Sequence, residues 1–84
     1  MSTKNAGGTM VAAIFQSVKR SGNAREGLSI ETLAKAADLS LKDAYSRLWW
    51  LEKKEGALVS TGKGAEKVYR LAAATLKELV AAEA

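Results

Sequence analysis

The sequence predicts a mainly α-helical domain: a three-helix core, a small two-stranded β-hairpin and an extra C-terminal helix. Three observations predict it. Apolar residues recur at spacings of three and four in successive stretches, each opened by a serine or threonine. The period changes to two on both sides of Gly62-Lys63-Gly64-Ala65. Helical composition then returns from Ala72.

Residues 1–8, MSTKNAGG, end in two glycines and read as a flexible tail ahead of a domain over 9–71. Thr9 is placed to cap a first helix, in which Met10, Val11, Ile14, Phe15 and Val18 form one stripe. Lys19 and Arg20 lie in its last turn, where cations suit the negative end of the helix dipole. A polar link over 21–27 leads to Ser29, a cap for a short second helix with Leu33, Ala34 and Ala37 on its inner face.

The strongest start signal is Ser40-Leu41-Lys42-Asp43, a capping box with a hydroxyl at the cap and a carboxylate three residues on. From there a helix is expected over 41–55, with Leu41, Ala44, Leu48 and Leu51 turned inward and Gly56 ending the pattern. Only Ala37-Asp38-Leu39-Ser40 separates it from its predecessor, so the two helices should cross rather than run antiparallel. In the hairpin, Leu58 and Ser60 share one face, while Tyr69, Leu71 and Lys67 share a face of the return strand and Arg70 points opposite. Over 72–84, Leu76, Leu79 and Val80 make a stripe with nothing evident to cover it. That makes the last helix a candidate dimerisation element.

Eighty-four residues enclose one core, and much of the 48% apolar fraction is alanine, so a few large side chains must carry it. Cysteine and histidine are both absent, which excludes disulfides, thiolate nucleophiles and Cys/His zinc sites. With no phosphate-cradling loop leading from a strand into a helix either, no enzyme activity, cofactor or small-molecule substrate is expected. The first apolar run, Met10 to Phe15, is too short for a membrane span and unlike a signal-peptide core. The expectation is a cytoplasmic, nucleoid-associated protein. Thirteen basic against nine acidic residues leave +4, a bias toward polyanions.

The run LSIETLAKAADLSLKDAYSRLWWLEKKEGALV, followed by GKGAEKVYRLA, resembles the winged helix-turn-helix family of prokaryotic and archaeal DNA-binding regulators. It has a leucine-led second helix, Leu39-Ser40 before the third, the closing Leu51-Glu52-Lys53 and a Tyr69-Arg70-Leu71 strand. Lys53-Lys54-Glu55 makes that helix end slightly longer than the family's usual leucine-glutamate-lysine-glycine. The resemblance covers residues 10–71 and implies a sequence-specific transcriptional regulator, its third helix in the major groove of double-stranded DNA and its hairpin, the wing, on the backbone or minor groove.

A helical wheel supports the same surface independently: Lys42, Ser46, Trp49 and Lys53 lie opposite the leucines, with Tyr45 and Trp50 toward the edges. Lys42, Tyr45 and Ser46 are the foremost candidates for base contact, with Ser40, Arg47, Trp49 and Lys53 beside them. On the wing, Lys63 at the tip, Lys67 and Arg70 are candidates for positioning contacts. Each has a plainer alternative. Asp43 is a helix cap, Tyr45 sits either at the core edge or on a phosphate, the lysines and glutamates over 52–55 form a solvated surface, and Lys63 blunts a turn.

Adjacent indoles cannot both face one core, so Trp50 is assigned to the protein's own packing and Trp49 to the DNA side. A homodimer through Leu76, Leu79 and Val80 would place two recognition helices on a palindrome. Two alternatives remain: a protein-interaction domain anchored by Trp49 and Trp50, and a non-specific nucleoid-type protein.

Overall fold

The first helix begins earlier than its apolar stripe requires. In the computed structural model, which describes residues 3–83, α1 spans Thr3–Ser21. Of the tail expected over 1–8, residues 1 and 2 lie outside the described range, and 3–8 are helical. Thr9 is therefore inside the helix instead of capping it. Extending a helix already held by its core contacts costs far less than nucleating one, which offsets the poor helix propensity of Gly7 and Gly8. The holding contacts are four of the five expected: Met10, Ile14, Phe15 and Val18 are buried, and Val11 is partly buried against them.

After α1 come β1 (Gly27–Ser29), α2 (Ile30–Ala37), α3 (Leu41–Lys53), β2 (Leu58–Thr61), a short 3-10 turn (Gly64–Glu66), β3 (Val68–Leu71) and α4 (Ala73–Glu83). The strands make one antiparallel sheet in the order β1-β3-β2. The expected hairpin is thus part of a three-stranded sheet, because Gly27 at the end of the supposed link and Leu28-Ser29 after it pair with β3, Leu28 opposite Tyr69. β1 approaches β3 closely: a Cβ on Gly27 would stand 2.8 Å from the Tyr69 carbonyl oxygen.

The hairpin faces follow the predicted alternation. Leu58 pairs with Leu71 and Ser60 with Tyr69, and Leu58, Tyr69 and Leu71 turn into the core. At the tip, Gly62 has φ +87°, and a Cβ there would meet the Glu66 carbonyl oxygen at 2.7 Å, so both backbone conformation and space require glycine.

Two caps set the direction of the central helices. The Ser29 hydroxyl accepts a hydrogen bond from the Thr32 N–H at the start of α2, and the Ser40 hydroxyl accepts one from the Asp43 N–H at the start of α3. Between them Asp38 adopts the left-handed conformation (φ 57°). The Leu39 N–H bonds back to the Ala34 carbonyl and the Asp38 N–H to the Lys35 carbonyl. That pair of bonds ends α2 and turns the chain into α3 within three residues.

The core forms where α1, α2, α3 and the inner face of the sheet meet, with Leu33, Leu48 and Leu58 at most 1% exposed. α4 is the largest departure from expectation. Leu76 and Leu79 pack against the core, so the stripe assigned to dimerisation is largely covered within the chain; Val80, 54% exposed, is the part left open. Lys19 and Glu83 form an ion pair at 2.7 Å that joins the ends of α1 and α4. Both partners are exposed, so the pair contributes little to stability. No helix among the described residues is long and apolar enough to cross a membrane.

Candidate nucleic-acid interface

α3 divides into two unlike faces. Ala44, Leu48 and Leu51 lie within about 60° of one another at 100° per residue, and all three are buried. The opposite arc carries Lys42, Tyr45, Ser46, Trp49 and Lys53, and all five are exposed. The buried arc faces the core, so the exposed arc stands away from it.

Two side chains differ from their expected positions. Leu41, assigned to the buried face, is 53% exposed. It is the first residue of α3, and helical side chains lean toward the N-terminus. Its branched end therefore projects past the start of the helix instead of down onto the core. Trp50, assigned to internal packing, is 50% exposed, and Trp49 is 44% exposed. Once Ala44, Leu48 and Leu51 fill the inner arc, no inward position remains for a bulky side chain about 100° from its nearer end. Both indoles meet water. The Lys54 ammonium lies 5.9 Å from the Trp49 ring centre, a cation–π distance that holds positive charge beside the indole.

The hairpin flanks one side of this ridge. The Ser60 hydroxyl on β2 donates to a Glu52 carboxylate oxygen at 2.8 Å, tying the hairpin to the end of α3. On the wheel Glu52 falls between Leu41 and Tyr45, so the sheet joins the helix on the side carrying those two residues. The bond holds this half-exposed carboxylate toward the hairpin, to one side of the ridge's crest.

The predicted cations separate into two groups. Lys42, Lys53 and Lys63 are exposed, and the one ion pair among the described residues is Lys19 with Glu83. The three lysines therefore have no internal counter-ion. Lys63 stands on the hairpin tip between two left-handed glycines, Gly62 and Gly64. Arg47, Lys67 and Arg70 are half-buried. Arg47 lies about 140° round the helix from Lys42, off the crest. Lys67 precedes β3 and places its ammonium 5.3 Å from the Tyr69 ring centre, while Arg70 sits opposite Gly27 and Val59 in the middle strand. Ser40 is exposed, but its hydroxyl already caps α3.

Sequence reasoning missed Leu41 and Trp50 as surface residues. The signal for Leu41 was present: a residue at the first helical position has no preceding turn to lean on. Trp50 carried a weaker signal, its place outside the leucine quadrant. Among the described residues no group of three or more carboxylates is gathered as a metal site. Comparison of the chain with protein-family models, with curated proteins and with solved structures returned no match.

Proposed function

We propose that this chain is a winged helix-turn-helix protein that binds duplex DNA as a transcriptional regulator. On this reading α3 lies in the major groove and the hairpin, as the wing, lies against the backbone or minor groove. The observation that carries it is the outer arc of α3, where Lys42 and Lys53 stand without counter-ions among the described residues, interleaved with Tyr45, Ser46 and Trp49. Unpaired lysines on a ridge narrow enough for a groove can displace phosphate counterions at little cost in internal contacts. The tight Asp38-Leu39-Ser40 connection and the glycine-bounded tip support the same reading. The homodimer expected from α4 retains Val80 as its open apolar side chain, so the reading is framed for one domain.

Fluorescence anisotropy with a labelled duplex tests this. Affinity should fall as salt rises, with a log–log slope of about −0.9 for each phosphate contacted, and Lys63→Ala should flatten that slope by about one contact. A dissociation constant weaker than roughly 100 µM at low salt contradicts the proposal. A regulator, unlike a nucleoid-type binder, should also prefer its selected site over random duplex by a large ratio.

A second reading is favoured by the exposure of Trp50: the two indoles anchor a partner protein. It requires duplex affinity to survive Trp49→Ala unchanged.

A further inference from the structure

We infer that the first turns of α3 read 5-methylpyrimidines in the major groove, through apolar contact from Leu41 and Tyr45. The inference rests on the duplex-binding proposal and names what that same site recognises.

The base-edge chemistry of the major groove consists of hydrogen-bond donors and acceptors, with one apolar group, the pyrimidine C5-methyl of thymine. Side chains that read the polar pattern are arginine and lysine at guanine, asparagine and glutamine at adenine, carboxylates at cytosine, and serine or threonine. On the outer arc of α3 Lys42 and Ser46 are of these types, and neither offers an apolar surface to the methyl. Arg47 is half-buried on the flank, and Asp43 is about 100° or more from Lys42, Tyr45 and Trp49 on the wheel. What the arc and its flank at the start of the helix present is Tyr45 and Leu41, 52% and 53% exposed, with Lys42 and Ser46 further round the helix.

The lean that lifts Leu41 off the core carries it past the N-terminus of the helix, the end that meets base edges in this kind of docking. Four residues separate Leu41 from Tyr45. That is about 6 Å of rise, or one to two base-pair steps, so the two side chains span neighbouring base pairs. An apolar side chain pressed against an unmethylated edge strips water from polar base atoms and offers them no partner. Against a methyl it buries apolar surface instead. Unpaired Lys42 and Lys53 on the same ridge supply the charge complementarity that keeps this apolar stripe on a polyanion.

The test compares four duplexes that differ only at the pyrimidine 5-position: adenine–thymine against adenine–uracil, and guanine–5-methylcytosine against guanine–cytosine. Wild-type protein should bind the thymine duplex more tightly than the uracil duplex, by roughly fourfold for each methyl contacted. If 5-methylcytosine also strengthens binding, the methyl group is read wherever it occurs. If thymine alone does, the source is thymine, and both outcomes support the inference.

The double variant Leu41→Ala/Tyr45→Ala should lose the thymine-to-uracil ratio, binding the two duplexes equally whatever its overall affinity, and should keep its thermal unfolding, because both positions are exposed. Equal wild-type affinity for thymine and uracil duplexes overturns the inference and leaves duplex binding intact. A ratio unchanged in the double variant also overturns it, because the methyl is then read by other residues. Absence of salt-dependent binding to any of the four overturns both the inference and the proposal beneath it.

Discussion

Truncating Leu48 to alanine should lower the unfolding free energy by about 3 kcal/mol, the middle of the range for a large aliphatic residue removed from a packed core. Leu48 is completely buried on the inner arc of α3, in the cluster that includes Ile14, Leu33, Leu58 and Leu71. The cavity would open where α1, α2, α3 and the sheet meet, and few neighbours there can relax into it. A domain of this length has roughly 4–13 kcal/mol of stability in total, so the loss is a large share of it. Urea unfolding followed by circular dichroism measures the effect. Tryptophan emission is a poor reporter here, since both indoles are already half in water in the folded state. A midpoint equal to that of wild type would mean that the leucine face of α3 is not the buried one.

The largest effect on binding is expected from Lys42→Glu/Lys53→Glu. Both lysines are exposed and, among the described residues, neither makes an ion pair, so the double variant should fold with wild-type stability. Losing two phosphate contacts at about 50 mM salt removes roughly two orders of magnitude in affinity by counterion release, and the introduced carboxylates add repulsion. Net charge falls from +4 to zero, because each replacement changes it by two. Lys77→Glu on α4, exposed but remote in sequence from the ridge, makes half that change and so gauges the effect of charge alone; it should weaken binding only a few-fold. Anisotropy titration of the three proteins under one buffer checks the prediction. Equal losses in the double variant and the control would mean that binding senses net charge and not the α3 ridge.

Much of this architecture was legible from local chemistry. The caps at Ser29 and Ser40 each use a hydroxyl three residues ahead of the N–H it accepts from, a spacing visible in the chain. The alternation of Leu58 with Ser60 and of Tyr69 with Leu71 placed three core residues of the hairpin correctly, since a strand has one side-chain period. What escaped notice was non-local. β1 is three residues long with no alternation of its own, and it exists because β3, about 40 residues later, offers an open edge. Leu76 and Leu79 looked uncovered for a similar reason: the surface that receives them is assembled from distant elements.

The candidate site was legible in outline and less so in detail. A helical wheel separates inner from outer positions along the middle of a helix but treats its ends as though they had neighbours. Leu41 was consequently assigned inward when the lean of its side chain takes it outward. Trp50 was assigned to packing because two adjacent indoles cannot both face one core and one was given to each side, yet the inner arc was already filled by Ala44, Leu48 and Leu51. The two errors share a consequence: the flanks of the ridge are more apolar than the sequence suggested. Four half-exposed large side chains on one helix mark a contact surface more strongly than the lysines alone.

Mapping amide and indole N–H shifts in isotope-labelled protein during titration with a short duplex tests the assignment of that ridge most directly. The account predicts changes concentrated over residues 40–53 and at the hairpin tip, 61–67, with the Trp49 indole moving more than that of Trp50 and α4 unaffected. Changes confined to α1 and α4, or a spectrum unaltered by duplex at low salt, would contradict it.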